Sequence, residues 1–288
     1  MTQVGVKTWT IAEILKTTAD FLGQKNIPSP RLEAEILLAR VLNLSRVQLY
    51  VNFERTLLTS ELDMFREFVR RRSRHEPTAY ILGEKEFYQL TLKVNHDTLI
   101  PRPETEHLID EALRLNQQPH PSVLDVGTGS GAIALAIAHN IPGAKVLGLD
   151  ISLKALEVAK LNREKLNLKV SFQQADLLSG PLEEAPFDFI LANLPYVPAE
   201  DIPSLPPDIL NYEPLIALDG GPGGISLLNK LLEQAPLYLK PNGYILLEIH
   251  PPQLTALTDL ALAHNLTPLP PVSDYANLTR IFVAKYQP

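Results

Sequence analysis

Val123-Leu124-Asp125-Val126-Gly127-Thr128-Gly129-Ser130-Gly131-Ala132 is an apolar run that passes straight into a glycine turn and then into a second apolar stretch. Glycines allow positive φ and close approach of backbone to a ligand, and a helix starting there offers unpaired N–H groups. Taken alone, the pattern is ambiguous. Gly127-x-Gly129-x-x-Ala132 also satisfies the dinucleotide fingerprint, in which a pyrophosphate sits on the helix N-terminus. Asp150 ends the next predicted strand, at a spacing where its carboxylate can accept both hydroxyls of a ribose. NAD and S-adenosyl-L-methionine suit it equally, and so does a plain role as the turn acid before Ser152. Asp176, in Gln173-Gln174-Ala175-Asp176-Leu177, can accept from an adenine amino group while Leu177 packs on the ring, or can be a solvated loop acid.

Asn193-Leu194-Pro195-Tyr196 follows the predicted strand Phe187–Ala192 and decides between these chemistries. It resembles the (Asn/Asp)-Pro-Pro-Tyr motif of S-adenosylmethionine-dependent methyltransferases that act on planar NH₂ groups. Such a nitrogen delocalises its lone pair and is a poor nucleophile. The Asn193 side-chain oxygen and the Leu194 main-chain carbonyl can each accept one of its N–H bonds, aim the lone pair and stabilise positive charge growing on nitrogen. Tyr196 can lie against the planar group. Position 194 is Leu where the motif usually has Pro, but the required carbonyl is retained, and a residue before Pro195 is biased to extended backbone.

These residues need a scaffold, and the chain supplies one from Ser122 onward by alternating strand-like and helix-like segments, the pattern of a largely parallel sheet. The predicted strands are Ser122–Val126, Lys145–Asp150, Lys169–Gln173, Phe187–Ala192, Gly243–Ile249, Leu266–Pro268 and Arg280–Ala284, the last pair antiparallel neighbours. Upstream, Thr10 to Arg74 reads as three helices, the first opened by a Thr10/Glu13 capping box. Alternating Phe87, Leu90, Leu92 and Val94 predict a hairpin, and Pro101 and Pro103 make a stiff elbow before a helix over Glu104–Leu115. The expected organisation is a helical domain over 1–78, a β-hairpin linker over 79–100 and an α/β domain over 101–288, which a methyltransferase of the kind that Asn193-Leu194-Pro195-Tyr196 resembles would use for substrate recognition, linkage and catalysis in turn.

Composition narrows the class further. With no cysteine in 288 residues, disulfide, thiolate-metal and cysteine-nucleophile chemistry are excluded. The seven histidines are scattered without ligand spacing, so no metal site is expected. Prolines number 25, an excess that suggests disorder until the 45% apolar content is weighed against it. The first 80 residues carry 12 basic and 9 acidic side chains, whereas the whole chain has a net charge of −7. The acidic remainder argues against a nucleic-acid substrate. Mean hydropathy is +0.00 and no apolar run reaches the ~18 residues of a membrane span. The first twenty residues, with Lys7, Glu13, Lys16 and Asp20, lack the apolar core of an export signal, so a soluble cytoplasmic protein is expected. Arg70, Arg71, Arg72 and Arg74 read as a solvated helix end or a partner contact. Trp9 reads as a packing residue.

Nearly the whole chain resembles the HemK/PrmC family of peptide-chain release factor glutamine-N5 methyltransferases. Besides the two core motifs, the likeness rests on Tyr80-Ile81-Leu82-Gly83-Glu84, Glu86-Phe87-Tyr88, Leu99-Ile100-Pro101-Arg102-Pro103-Glu104-Thr105-Glu106, Tyr212-Glu213-Pro214, Ala217-Leu218-Asp219-Gly220-Gly221, and Leu247-Glu248-Ile249 with Gln253. His250-Pro251-Pro252 departs from a more glycine-like stretch and has no role in that pattern. The resemblance implies a seven-stranded Rossmann-like class I S-adenosylmethionine-dependent methyltransferase domain behind a small helical domain and hairpin. Its cofactor would be S-adenosyl-L-methionine and its partners class I peptide-chain release factors. In it Asp125 would orient the glycine loop, Gly127, Thr128, Gly129, Ser130 and Gly131 would approach the methionine portion, and Asp150 would hold the ribose. Asp176 and Leu177 would border the adenine, and Asn193, Leu194, Pro195 and Tyr196 would grip the glutamine amide. Arg102 and Glu104 would brace the methionine end or form an ion pair that fixes the elbow. A DNA adenine-N6 methyltransferase would share Asn-x-Pro-Tyr but need base flipping and a basic groove. A dinucleotide-dependent oxidoreductase would leave that motif unused, and a non-catalytic module would merely hold cofactor.

Overall fold

Thr10 opens the first helix with a reciprocal cap: its N–H donates to the Glu13 carboxylate at 3.0 Å and its hydroxyl accepts from the Glu13 N–H at 3.3 Å. Two donors that a helix start leaves unpaired are thereby satisfied. In this computed structural model, which describes residues 8–182 and 185–288, that helix belongs to the first of two units. The first unit runs to Gly83 and takes in Pro207–Tyr212, while the second holds Glu84–Pro206 and Glu213–Pro288. The opening seven residues of the expected 1–78 domain, Lys7 included, lie outside the described residues.

The first unit contains α1 (Ile11–Gln24), α2 (Pro30–Leu42), α3 (Arg46–Val51), α4 (Thr59–Arg72) and α5 (Thr78–Leu82). Its core joins Ile11, Leu15, Leu37, Leu38 and Phe65, with Trp9 packed at the edge. Two of these helices go beyond the three that periodicity predicts. With six residues, α3 is too short to show a helical period and is marked instead by Ser45, whose N–H donates to Gln48 Oε1 at 2.8 Å. Helix α5 occupies the expected start of the hairpin, so strand begins only at Glu84. The arginine cluster divides: Arg70 and Arg74 are exposed at the helix end, as a solvated end would be, while Arg71 and Arg72 are drawn into ion pairs. Arg70 pairs with Glu67 and Arg71 with Glu76, while Arg72, 4% exposed, pairs with Glu33 at 3.1 Å. Arg71 and Arg72 therefore knit their own unit together.

The second unit starts with a hairpin, β1 (Glu84–Phe87) and β2 (Leu90–Lys93), turned by Tyr88 and Gln89 at positive φ. Tyr88 ties it to α6 (Glu106–Leu115), its N–H donating to Glu106 at 2.9 Å and its hydroxyl to Asp110 at 2.6 Å. That helix starts later than its predicted onset at Glu104, because Pro103 opens a separate 3-10 turn over Pro103–Thr105. Then follow β3 (Ser122–Val126), α7 (Ala132–Asn140), β4 (Lys145–Asp150), α8 (Leu153–Leu166), β5 (Ser171–Gln174) and β6 (Phe187–Ala192). After the single turn α9 (Pro207–Leu210), grouped with the first unit, come α10 (Ser226–Gln234), β7 (Leu239–Glu248), α11 (Leu254–Ala263), β8 (Leu266–Pro268), β9 (Val272–Ser273) and β10 (Thr279–Tyr286).

The strand order is β5-β4-β3-β6-β7-β10-β8, with β9 paired to β10. Strands β3 to β7 are parallel, and β10 is antiparallel to β7, β8 and β9. Alternate residues serve opposite cores: Leu124, Val126, Ile190 and Ala192 enter one, Val123, Phe189 and Leu191 the other. Because both faces are covered, the central strands read as continuous apolar runs. The seven expected strands are joined by β9, two residues long. β7 begins upstream of Gly243, because Phe187 pairs with Leu239 and Phe189 with Tyr244, leaving residues 240–243 as a bulge. The sheet order reverses between β3 and β6, and a crevice at the carboxyl ends of strands at such a reversal is where ligands bind in open α/β sheets.

The opposite end of the same two strands is tied by Asp188. It accepts from the Ser122 N–H at 2.8 Å, the Ser122 hydroxyl at 2.9 Å and the Lys240 ammonium at 2.8 Å. Burial alone would raise its pKa, but the Lys240 and Ser122 donors outweigh burial and hold it below the usual carboxylate range. A depressed folded pKa means stability present at neutral pH and lost as pH falls through that lowered value. Asp188→Asn should therefore lower stability at pH 7 by about 1–3 kcal/mol. In thermal melts the gap to wild type should narrow only as pH falls below the usual carboxylate range, and a gap that stays constant there would contradict this account.

Candidate active site

The crevice at the β3/β6 reversal opens into a cavity of about 210 Å³. Each strand end contributes a piece of its wall. Gly127, Thr128, Gly129 and Ser130 come from the loop after β3, Asp150 from the end of β4, Asp176 and Leu177 from just beyond β5, and Asn193, Leu194 and Pro195 from just beyond β6. Thr105 and the stretch Pro214, Ile216 and Ala217 complete it.

The glycine loop is shaped from behind by acids. Asp125, fully buried in β3, accepts from the Thr128 hydroxyl at 2.6 Å and the Ala134 N–H at 3.0 Å. Burial pushes its carboxyl up to about 7, with the two donors opposing and Asp150 adding to the rise. Asp150 accepts from the Gly129 N–H at 2.8 Å and the Ser152 N–H at 2.9 Å, so each oxygen keeps acceptor capacity. Its pKa is also raised, by burial first, against its backbone donors. Asn162, buried in α8, donates to the Ser130 carbonyl at 2.9 Å and grips both polar atoms of the Lys93 backbone. Gly127 has φ +75°, and a Cβ there would stand 2.9 Å from Leu194 Cδ2. The loop after β3 and the turn after β6 thus pack directly on each other, and Leu194, only 4% exposed, fills the seam with Val126 and Leu177.

The turn after β6 is held by hydrogen bonds at both of its ends. Asn193 Nδ2 donates to Thr105 Oγ1 at 3.0 Å, and the Thr105 hydroxyl donates to Glu248 at 2.5 Å. The Tyr196 hydroxyl donates to the other Glu248 oxygen at 3.0 Å. Burial raises the pKa of Glu248 while the Thr105 and Tyr196 hydroxyls oppose it, and burial beside that carboxylate raises the Tyr196 phenol above its ordinary range. Gln253 Nε2 donates to the Tyr196 and Gly224 carbonyls, each at 3.0 Å. The His250 N–H in turn donates to Gln253 Oε1 at 2.9 Å across the 3-10 turn Pro251–Gln253. The backbone at His250 thus aims Gln253, a contact that any residue with an N–H would make, and the structure does not explain the His250-Pro251-Pro252 departure itself.

Several expected site residues are off the cavity wall. Asp125 and Gly131 lie beneath the glycine loop, and Tyr196 is directed to Glu248 rather than into the cavity. Arg102 pairs with Glu213 at 2.5 Å instead of with Glu104, and neither Arg102 nor Glu104 reaches the cavity. Glu213 also accepts from the Ile100 N–H at 3.4 Å, which fastens the Pro214–Ala217 wall to the proline elbow. Thr105, Glu248, Gln253 and Glu213 stand in sequence only as letters of matching stretches. Their roles depend on contacts between residues far apart in the chain.

An adenosine-bearing methyl donor fits this cavity. A Cβ on Gly129 would meet nothing closer than the Gly127 carbonyl at 4.0 Å, so the glycine backbone lies bare on the cavity. Two carboxylates and the apolar Ile151, Ala175, Leu177 and Leu227 complete a wall suited to a ribose and a planar ring.

Residues 13–83 match the family described as PrmC N-terminal domain, and residues 117–269 match a methyltransferase domain. A release factor glutamine methyltransferase of Rhodopirellula baltica is 42% identical over 84% of this chain and 84% of its own length. Its counterpart in Chlorobaculum tepidum is 38% identical over 95% and 96% of the two chains, and that of Caulobacter vibrioides 34% identical over 100% and 98%. The chain belongs to the release factor glutamine methyltransferase family. It has the class I methyltransferase fold of that family, and the first of its two family matches ends at Gly83, where the first unit gives way to β1. A methyltransferase structure from Pyrococcus furiosus, 18% identical, superimposes with a TM-score of 0.51 over 69% of this chain and 90% of that one, a likeness of fold alone. Among the described residues no helix is long and apolar enough to cross a membrane.

Proposed function

We propose that this chain transfers the methyl group of S-adenosyl-L-methionine to the side-chain amide nitrogen of a glutamine in class I peptide-chain release factors, in the cytoplasm, and so tunes translation termination. The observation that carries this reading is the Asn193 amide. Its nitrogen is given to Thr105, its oxygen has no partner among the described residues, and it borders the cavity beside the bare glycine backbone.

S-adenosyl-L-methionine supplies an electrophilic methyl on a sulfonium, which leaves as a neutral thioether. Asn193 Oδ1 and the Leu194 carbonyl each accept one N–H of the glutamine amide. Holding both N–H bonds in a plane directs the nitrogen lone pair along the line of displacement and prevents rotation away from it. The two acceptors also stabilise charge that builds on nitrogen as its bond to carbon forms. The methylated nitrogen then sheds one proton to water, for which no strong base is needed. Asp150 accepts from the ribose and Asp176 from the adenine amino group, with Leu177 against the ring.

The test is direct: incubate the protein with labelled S-adenosyl-L-methionine and a class I release factor, with duplex DNA as the competing substrate, and map the label. Label on the glutamine supports the reading, and label on DNA alone overturns it. Titration with S-adenosylhomocysteine should give binding heat where NAD gives none. Asp150→Asn removes the negative charge that strengthens acceptance from the ribose hydroxyls, so it should weaken S-adenosylhomocysteine binding by about ten-fold to a hundred-fold. An unchanged Kd would return Asp150 to the role of a turn acid.

A further inference from the structure

We propose that Thr105 and Glu248 are positioning residues that fix which end of the Asn193 amide faces the cavity. The inference rests on the amide-methylation reading above, and it follows from counting protons along the chain Tyr196, Glu248, Thr105, Asn193. An ionised carboxylate only accepts, so the hydroxyls of Tyr196 and Thr105 must both donate to Glu248. Thr105 has one hydrogen, and at 2.5 Å from Glu248 it is committed there. What remains toward Asn193, 3.0 Å away, is a lone pair, and only the NH₂ end of the amide can meet it. The reverse orientation would set the amide oxygen against an oxygen with no hydrogen to offer.

Oxygen and nitrogen of an amide have almost the same shape, so packing alone does not choose between the two orientations. The choice matters to the reaction. With Oδ1 on the cavity Asn193 accepts from a substrate NH₂, whereas with Nδ2 there it would oppose that group donor to donor. Thr105 is 3% and Glu248 1% exposed, so solvent does not compete for these partners. Burial and the negative charge of Glu104 raise the pKa of Glu248, and its two hydroxyl donors and the positive charge of Arg280 oppose that rise; the donors are assigned by the geometry, which sets one hydroxyl on each carboxylate oxygen.

The sequence shows why such a device must be long-range. Thr105 closes the 3-10 turn before α6, Asn193 follows β6, Glu248 ends β7 and Tyr196 closes the turn. Only the sheet order, which sets β6 beside β7, brings them together.

The decisive variant is Thr105→Val, which keeps shape and removes the hydroxyl, set against Thr105→Ser, which keeps the hydroxyl. Thr105→Val should lower kcat for release factor methylation by ten-fold or more, with Kd for S-adenosylhomocysteine within two-fold. Thr105→Ser should stay within about three-fold of wild type in kcat. Wild-type activity in Thr105→Val would overturn the inference, as would equal losses in both variants. A second measurement needs neither turnover nor a variant at 105. In ¹⁵N-labelled wild-type protein, the Asn193 side-chain NH₂ is assigned by its disappearance in Asn193→Asp, and it should show nuclear Overhauser contacts to the Thr105 side chain. Absence of those contacts overturns the inference. Their presence in a protein that transfers no methyl to glutamine would uphold the orientation and sink the proposed reaction instead.

Discussion

Asn193→Ala is expected to cut kcat for glutamine methylation by about 10²–10³-fold, the range seen when one preorganised hydrogen-bonding group for developing charge is removed from an enzyme. Cofactor affinity should stay within a few-fold. The separation follows from where the contacts lie. The glycine backbone, Asp150, Asp176 and Leu177 reach the cavity from the ends of β3, β4 and β5, and the Asn193 side chain is hydrogen-bonded to Thr105 rather than to any of them. What the substitution removes is one of the two acceptors proposed for the substrate NH₂, together with the donor to Thr105 at 3.0 Å. The second loss leaves a nearly buried hydroxyl oxygen short of one partner and costs about 1 kcal/mol of stability. Thermal melts would measure that part, and single-turnover transfer of label from S-adenosyl-L-methionine would measure the chemistry. Loss of S-adenosylhomocysteine binding in step with kcat would mean that Asn193 holds the cofactor or the fold rather than the amide.

Much of the scaffold for this chemistry was readable from local pattern. The runs Ser122–Val126, Lys145–Asp150 and Phe187–Ala192 are strands with those bounds, because buried parallel strands are largely apolar and bounded by turn residues. The glycine loop and Asn193-Leu194-Pro195-Tyr196 were legible for the same reason: each is a short, contiguous signal at a strand end. What local pattern could not carry was the support between distant segments. Arg102 looks like a partner for Glu104 two residues away, yet its carboxylate is Glu213, more than a hundred residues on. Arg72 looks like a solvated helix end, yet its partner is Glu33 on another helix of the same unit. Tyr196 looks like a platform for the substrate plane, yet the buried Glu248 on a neighbouring strand claims its hydroxyl. The proline excess sorts along the same line. Pro103 opens the turn that presents Thr105, Pro195 and Pro214 stand on the cavity wall, and Pro251 starts the turn that aims Gln253.

The glycines at Gly220, Gly221, Gly223 and Gly224 show what such support demands, and Gly224→Ala is the second substitution expected to be severe. Gly224 has φ +70°, where any residue with a Cβ is strained by roughly 1–2 kcal/mol. The larger effect is collision. A Cβ there would stand 2.1 Å from the Tyr196 carbonyl oxygen and 2.7 Å from Gln253 Nε2. Neither neighbour is free to give. The Tyr196 carbonyl is fixed by Gln253, and the next residue, Val197, exchanges backbone hydrogen bonds with Leu218 and Gly220 at 3.1 and 2.9 Å. Backbone must therefore move, and the backbone within reach is the turn that carries Leu194 and Asn193. Strain plus the lost Gln253 bonds place the destabilisation at about 3–5 kcal/mol, among the rarer large effects of single substitutions. The expected result is a clear fall in melting temperature accompanied by a kcat loss that persists at temperatures where the variant is fully folded. Gln253→Ala, which removes the staple without adding bulk, should reproduce part of the kcat loss with a smaller change in melting temperature. If Gly224→Ala melts early but turns over normally while folded, the glycine turn is a packing device alone and does not set the position of the Asn193 amide.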